Sequence, residues 1–120
     1  MPFAGELGVQ VHDANKDEVR GALDWRADLC TAGGVLHGGA LMAFADSLGA
    51  LCAFLNLPEG ATTATIESKT NFFRGVRDRR VDGVARPLHV GRSSIVVQTE
   101  LSDADGKAVA LVIQTQAVLS

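Results

Sequence analysis

Cysteine is scarce in this sequence: only Cys30 and Cys52 occur, and they do not form a Cys-x-x-Cys pair. No histidines cluster beside them, so the ligand spacing that a zinc site needs is missing. Both cysteines stand in apolar or mixed sequence, which predicts that they are reduced residues that serve in packing. We therefore expect no metal site.

Proline is also scarce, with 3 residues, while 47% of the chain is hydrophobic and 21% is charged. This composition is typical of a globular domain and argues against disorder or low complexity. A chain of 120 residues is long enough to bury a core but too short for two domains. We therefore expect a single domain over residues 1–120.

A strong excess of one sign of charge is missing as well, since the formal net charge is −3. Such a chain lacks the overall basic field by which proteins bind nucleic acid, so no nucleic-acid partner is expected. Basic residues do gather locally, because four arginines lie between positions 74 and 80. The cluster is typical either of a solvated turn between strands or of a local site for a phosphate-bearing ligand.

Long hydrophobic runs are absent too. The longest apolar stretch is shorter than the ~20 residues that cross a bilayer, and Asp46 interrupts it. The first residues, Met-Pro-Phe-Ala-Gly-Glu, lack the basic region and apolar stretch of a secretory signal. These features predict a cytoplasmic protein that has no membrane partner.

An isolated carboxylate is the most informative feature that the chain does have. Asp46 is the one charged residue between positions 39 and 57. An ionised carboxylate in an apolar setting costs several kcal/mol of free energy unless a favourable interaction offsets it. Its position therefore indicates a functional role, although a helix carboxylate that reaches water or an arginine is the simpler alternative.

The turn His37-Gly38-Gly39 directly precedes the apolar stretch, and glycine amides that open a helix let an anion approach closely.

The first half of the chain predicts a hairpin, a loop and a long helix. Residues 8–13 and 18–25 alternate apolar and polar side chains around a turn at 14–17, which is typical of a hairpin. Residues 26–34 predict a loop. Apolar residues then recur at helical spacing from 39 to 57, and small apolar residues fill much of the opposite face, so this helix is expected to be buried.

The second half of the chain is rich in β-forming residues. An Asp-Gly turn at 105–106 favours a hairpin because aspartate and glycine tolerate a positive φ. One helix and about five or six mostly antiparallel strands make an α+β domain in which a sheet wraps a central helix. The strands in this half are predicted at 62–73, 80–90, 93–102 and 107–119.

This element order, the sequence Gly34-x-x-His37-Gly38-Gly39 and a carboxylate nine residues after the histidine resemble the hotdog-fold acyl-CoA thioesterases. Nearly the whole chain fits the resemblance. The likeness is to the branch that holds the phenylacetate-pathway, 4-hydroxybenzoyl-CoA and 1,4-dihydroxy-2-naphthoyl-CoA thioesterases. The segment from Val81 to Ser94 is similar to that of the naphthoyl-CoA and enterobactin-pathway proofreading members in particular.

The resemblance implies a hotdog fold, with an antiparallel sheet of five or six strands around one long helix. It also implies hydrolysis of an aromatic or bulky acyl-CoA to the free acid and coenzyme A, with no cofactor besides the substrate itself. In the family the active sites lie at subunit interfaces. One sheet around one helix leaves strand edges open, and a second copy usually covers such edges, so a homodimer or homotetramer is expected.

The resemblance further implies catalytic roles for five residues. Asp46 would attack the thioester carbonyl directly or take a proton from an attacking water, and the sequence leaves both routes open. Gly38 would bind the thioester oxygen through its amide, and His37 would position the turn or the thioester. Thr65 and Thr31 would help to place water and substrate. Thr31 stands where the family commonly carries asparagine or glutamine.

Substrate contacts are implied in three further places. Gly39 has no side chain that would block the approach of the substrate, and Phe72 and Phe73 would bound the acyl group. Arg74 would contact coenzyme A. The remaining candidates for coenzyme A lie in one segment: Gly91, Arg92 and Ser93.

Three other functions remain open from the sequence. A hotdog domain that binds acyl-CoA without turnover would gain nothing from a carboxylate beside an electrophilic carbon, so Asp46 argues against it. Acyl hydratases of this fold are recognised by a different histidine-containing pattern, which does not occur here. Composition alone does not exclude a purely structural subunit.

Overall fold

Six antiparallel strands form one sheet that lies around a single long helix. The computed structural model describes residues 1–120, and the strand order in the sheet is 1-2-4-5-6-3. This architecture confirms the predicted α+β hotdog class. The elements are α1 (Pro2–Leu7), β1 (Gln10–Ala14), β2 (Val19–Asp24), α2 (Gly38–Leu55), β3 (Thr62–Phe72), β4 (Arg80–Val90), β5 (Ser94–Asp103) and β6 (Ala108–Leu119).

Helix α2 packs one face into the sheet. Phe44, Leu48 and Cys52 recur every fourth residue, so they lie on one side of the helix, and all three are fully buried. Gly83 on β4 allows the close approach, because a Cβ at this position would lie 2.6 Å from Leu48 and 3.0 Å from Phe44. Burial raises the pKa of the Cys52 thiol to about 11, so Cys52 stays protonated and packs as an apolar residue.

The opposite face of α2 is open to solvent, and here the prediction of a helix that is buried all round is wrong. Met42, Asp46 and Phe54 are exposed because the sheet covers only one side of the helix. By length and composition α2 could cross a membrane, but core helices of globular proteins pass the same test. Its buried residues contact strands of the same chain, as such a core helix requires.

Helix α1 was not predicted from the sequence. Pro2 lies in its first turn, where the missing amide hydrogen costs nothing, and Gly8 ends it with a φ of 90°. Ala4 and Leu7 are buried, while Phe3 is 66% exposed. The helix therefore covers part of α2 and presents an aromatic ring beside its open face.

Strand β3 forms one edge of the sheet and is exposed along almost its whole length. It is hydrogen-bonded only to β6, and Ile66 near its centre is 63% exposed. A long exposed edge with apolar side chains is a surface that proteins usually cover. This edge lies beside the open face of α2, which β3 also contacts.

Candidate active site

The turn that opens α2 is organised by His37. Its backbone is extended (φ −60°, ψ 135°), and its side chain accepts a hydrogen bond of 2.8 Å at Nδ1 from the Gly39 amide. Because Nδ1 accepts, a neutral ring carries its proton on Nε2, which is left as a donor. His37 therefore caps the helix and holds the turn, and its role in positioning the thioester stays a prediction.

The amide of Gly38 is the free donor of the first turn. The Ala40 and Leu41 amides both donate to the His37 carbonyl, and the Gly39 amide donates to the His37 ring. The Gly38 amide has no acceptor within the chain. It lies at a helix N-terminus, where the partial positive charge favours an anion, so it can stabilise a developing oxyanion.

Phe72 lies against Gly38, but Phe73 does not. The Cζ of Phe72 is 3.3 Å from the position that a Cβ on Gly38 would occupy. Phe73 follows the last residue of β3 and lies with Val84 and Leu111 in a groove of about 410 Å³ on the outer face of the sheet. The prediction that both rings bound one acyl pocket is therefore wrong for Phe73 within this chain.

Asp46 lies on the open face of α2, near the middle of the helix. It borders a groove of about 300 Å³ together with Phe3 and Ser47. The sequence predicted that the apolar helix would bury this carboxylate, but Asp46 is exposed in the single chain. Helix α2 does not shield the Asp46 carboxylate from water, because only α1 covers part of its exposed face.

A chain of buried amides connects Asp46 with Thr65. The Gln114 Nε2 donates to Asp46 Oδ1 (3.1 Å) and to Gln116 Oε1 (3.0 Å). The Thr65 hydroxyl donates to the same Gln116 oxygen at 2.6 Å. Thr65 was predicted to help to place water and substrate, and the structure joins its hydroxyl to Asp46 through the two glutamines.

Gly38 and Asp46 of one chain do not meet. They are eight residues apart on α2, which at 1.5 Å per residue separates their Cα atoms by about 12 Å along the axis. An oxyanion donor and an attacking group must both lie within about 3–3.5 Å of one carbonyl. An aspartate side chain is too short to close this gap, so a single chain contains two parts of a site rather than a whole one.

Thr31 lies in the short segment that pairs with the residues before α2. Its amide donates to the Val35 carbonyl at 2.8 Å, and the neighbouring Leu29 carbonyl accepts from the His37 amide. The residue is exposed and its hydroxyl has no protein partner. Thr31 therefore lies near the His37 turn with a hydroxyl that has no partner in the chain, and its part in placing water or substrate stays a prediction.

The arginine cluster divides into paired and unpaired residues. Arg79 forms ion pairs with Asp78 and Asp105, and Arg80 pairs with Asp82. Arg74 forms no ion pair and borders a groove of about 280 Å³ in the loop before β4. Arg74, the candidate phosphate contact, is thus one of the arginines of this cluster that form no ion pair.

The second candidate segment for coenzyme A lies at the other end of β4. Gly91 closes the turn between β4 and β5 through a hydrogen bond to Ser94, and the Ser93 carbonyl accepts from Val118. Arg92 is exposed and forms no ion pair. Since β4 has 11 residues, this turn is about 35 Å from the Arg74 loop. Arg74 and Arg92 of one chain therefore cannot contact the same end of one coenzyme A molecule.

Three residues of this region were not predicted from the sequence: Gln114, Gln116 and Phe3. The glutamines lie on the inner face of β6, in alternation with outward residues, and a polar residue at such a position is a detectable signal. Phe3 borders both the groove beside Asp46 and a groove of about 300 Å³ beside His37. Its position depends on α1, which the sequence did not predict.

The chain is similar to known thioesterases in sequence and in structure. Residues 33–110 match the family described as the Thioesterase superfamily. The protein Rv1847 of Mycobacterium tuberculosis is 34% identical over 113 residues, which are 92% of this chain and 81% of the relative. Its solved structure superposes with a TM-score of 0.96 at 32% identity and covers 100% of this chain and 98% of that one.

Two further relatives carry named activities. The 1,4-dihydroxy-2-naphthoyl-CoA hydrolase of Escherichia coli is 36% identical over 74 residues, which are 62% of this chain and 54% of the relative. The structure of a mutant form of the thioesterase PA1618 from Pseudomonas aeruginosa has a TM-score of 0.93 at 30% identity and covers 98% of this chain and 85% of that chain. With a family match over most of its length, the chain belongs to the Thioesterase superfamily and is a thioester hydrolase with the hotdog fold.

Proposed function

We propose that this enzyme hydrolyses acyl-CoA thioesters with an aromatic or otherwise bulky acyl group, and that it releases the free acid and coenzyme A. The observation that carries the proposal is the unpartnered Gly38 amide at the N-terminus of α2, with the ring of Phe72 beside it. This arrangement offers a hydrogen-bond donor for a thioester oxygen and an apolar wall for the group attached to it. The reaction needs only water and the protein's own side chains.

The chemical step is assigned to Asp46 and Gly38. The Gly38 amide donates to the thioester oxygen and stabilises the negative charge that develops there. Asp46 either attacks the carbonyl carbon or takes a proton from the water that attacks it. His37 holds the Gly39 amide, which leaves the Gly38 amide as the free donor of the turn.

Two subunits are needed to build one site. Gly38 and Asp46 are about 12 Å apart along α2, so a complete site combines Gly38 of one subunit with Asp46 of a partner subunit. The exposed edge strand β3 and the open face of α2 are the surfaces that a second copy would cover. We therefore propose a homodimer or a homotetramer of paired dimers. Light scattering that finds a stable and active monomer would contradict this arrangement.

The acyl group is proposed to be aromatic or bulky. Phe72 is half exposed at the Gly38 amide, and Phe3 is exposed between the His37 and Asp46 grooves. Aromatic rings of this kind pack against another ring by stacking or edge-to-face contact. The relative from Escherichia coli is named for the hydrolysis of an aromatic acyl-CoA, which supports the same class of substrate here.

A panel of acyl-CoA substrates tests the proposal. The release of free thiol is measured for benzoyl-CoA, phenylacetyl-CoA, acetyl-CoA and palmitoyl-CoA at equal concentrations. We expect the highest kcat/KM for the two aromatic thioesters. Equal rates on acetyl-CoA and benzoyl-CoA would contradict the aromatic preference, and binding of all four without thiol release would indicate an acyl-CoA-binding protein.

The Arg92→Ala substitution tests the proposed phosphate contact. We expect KM for an intact coenzyme A thioester to rise by about 10-fold with little change in kcat, because a contact remote from the carbonyl contributes uniform binding. The matched pantetheine thioester lacks the nucleotide phosphates, so its KM should not change. The control variant is Arg86→Ala, whose arginine is already paired with Glu18. An equal loss on both thioesters would show that Arg92 does not bind phosphate.

A further inference from the structure

Two glutamine side chains lie buried between α2 and the sheet, behind the Asp46 carboxylate. Gln114 is 0% exposed and Gln116 is 1% exposed, on a face of β6 that otherwise carries apolar residues. Buried amides are costly unless they are hydrogen-bonded, and an apolar pair of similar size would pack at this position without that cost. Packing alone therefore does not explain the two buried glutamines.

The direction of every hydrogen bond in this network is fixed at one end by a backbone carbonyl. The Ala117 carbonyl oxygen can only accept, so the Thr63 hydroxyl must donate the hydrogen bond of 2.7 Å between them. Thr63 Oγ1 must then accept from Gln116 Nε2, at 3.2 Å. This orientation turns Gln116 Oε1 toward Thr65 and Gln114, both of which donate to it.

Gln114 is thereby left with one orientation. Its Nε2 must donate to Gln116 Oε1, and the second hydrogen of the same nitrogen points to Asp46 Oδ1 at 3.1 Å. The aspartate oxygen at this position must be an acceptor, because the donor opposite it cannot rotate away. A proton that Asp46 takes up during the reaction therefore has to go to Oδ2.

Gly49 leaves the space in which the Gln114 amide lies. A Cβ at this position would clash with the Gln114 Oε1 and would lie 2.6 Å from its Cδ. The Oε1 has no hydrogen-bond partner, so it contributes nothing to stability that would explain the arrangement. Because Gly49 has no side chain, the Gln114 amide can lie where its Nε2 reaches Asp46.

We infer that Gln114 is the positioning residue of Asp46: it binds Oδ1, holds the carboxylate at a fixed angle on the open face of α2, and leaves Oδ2 as the reacting oxygen. The inference rests on the proposed function in taking Asp46 as the reacting group. Gln114 is fully buried behind the carboxylate and acts through Asp46 rather than on the substrate.

Substitution of Gln114 by methionine tests the inference. Methionine keeps the length and volume of the side chain but removes the donor. We expect kcat to fall on the order of 10- to 100-fold with KM changed less than about 2-fold, since misplacement of a reacting group by about 1 Å has an effect of this size. Gln98→Met is the matched control, because Gln98 bonds only to Glu100 on the outer face and its loss should leave kcat unchanged.

The pH–rate profile of Gln114→Met and a second variant, Gly49→Ala, separate positioning from a merely structural role. Gln114→Met removes a hydrogen bond that stabilises the charged form of Asp46, so the acid limb of the pH–rate profile should move to higher pH. A structural defect would instead lower the rate by the same factor at every pH. Gly49→Ala keeps Gln114 but displaces its amide, and it should lower kcat in the same direction as Gln114→Met.

A measurement that does not depend on turnover separates this inference from the proposed function. The carboxyl carbon of Asp46, assigned in NMR spectra by its loss in Asp46→Asn, should titrate at higher pH in Gln114→Met than in the wild type, because the carboxylate has lost its donor. Kinetics are measured on the thioester with the highest kcat/KM, whether its thiol is coenzyme A or another carrier. Wild-type kcat and an unmoved Asp46 titration in Gln114→Met would overturn the role of Gln114. Full activity in Asp46→Asn would overturn the proposed mechanism and leave Gln114 only as the residue that holds the Asp46 carboxylate.

Discussion

Asp46→Asn lowers kcat by at least ~100-fold while substrate binding survives, because the substitution removes the group that attacks the thioester or activates the water. Asparagine has nearly the same shape, and its Oδ1 can still accept the hydrogen bond from Gln114. This contact forces the amide nitrogen into the place of Oδ2, and an amide nitrogen neither attacks a carbonyl nor takes up a proton. The loss therefore falls on the chemical step.

Steady-state kinetics and equilibrium binding of a non-hydrolysable thioether analogue check this expectation together. The matched control is Asp82→Asn, which neutralises an aspartate in a surface ion pair with Arg80 and should leave kcat unchanged. If Asp46→Asn kept more than about a tenth of the wild-type kcat, the assignment of Asp46 would be wrong. A loss of analogue binding that matches the loss of rate would indicate a structural defect instead.

The fold could be predicted closely because its signals are local. The strand predicted at 80–90 is observed at Arg80–Val90, and the one at 62–73 is observed at Thr62–Phe72. The alternation of side chains and the turn residues between strands fix such limits. Helix α1 was missed because six residues are too few to show a helical period. Its remaining signals were Pro2 in the first turn and Gly8 at the end.

The candidate site could be predicted only in part. The sequence singled out the His37 turn and Phe72 separately, through the family resemblance, but it did not predict that the two are in contact. It also did not predict that Phe73 lies on the outer face of the sheet. The bond between Asp46 and Gln114 joins residues 68 positions apart and depends on the packing of α2 against β6. No local pattern encodes such a contact.

Gly38→Pro removes the proposed oxyanion donor and should lower kcat by about 10²- to 10³-fold, the range found when such a donor is lost. Gly38 is the first residue of α2, where proline is well tolerated, and the extended backbone of His37 (ψ 135°) suits the position before a proline. The helix should therefore keep its start while it loses one amide hydrogen. Kinetics on the best thioester and circular dichroism check the two parts of this expectation.

The matched control is Gly38→Ala, which keeps the amide hydrogen and adds a methyl group. Its Cβ would lie 3.3 Å from the Cζ of Phe72, a half-exposed ring that can shift by the few tenths of an ångström required. We expect a loss of less than about 10-fold in Gly38→Ala, since the donor is still present. Equal losses in the proline and alanine variants would mean that space at Gly38, rather than its amide, matters for catalysis.

The proline variant also decides whether each site belongs to two subunits. Gly38→Pro and Asp46→Asn are unfolded, mixed in equal amounts and refolded, so that half of the dimers are hybrids. If Gly38 of one subunit acts with Asp46 of its partner, each hybrid holds one site with both residues intact and one with both altered. Activity should then return to about a quarter of the wild-type value, because a quarter of all sites are intact. If both residues act within one chain, every site keeps one lesion and the mixture stays inactive.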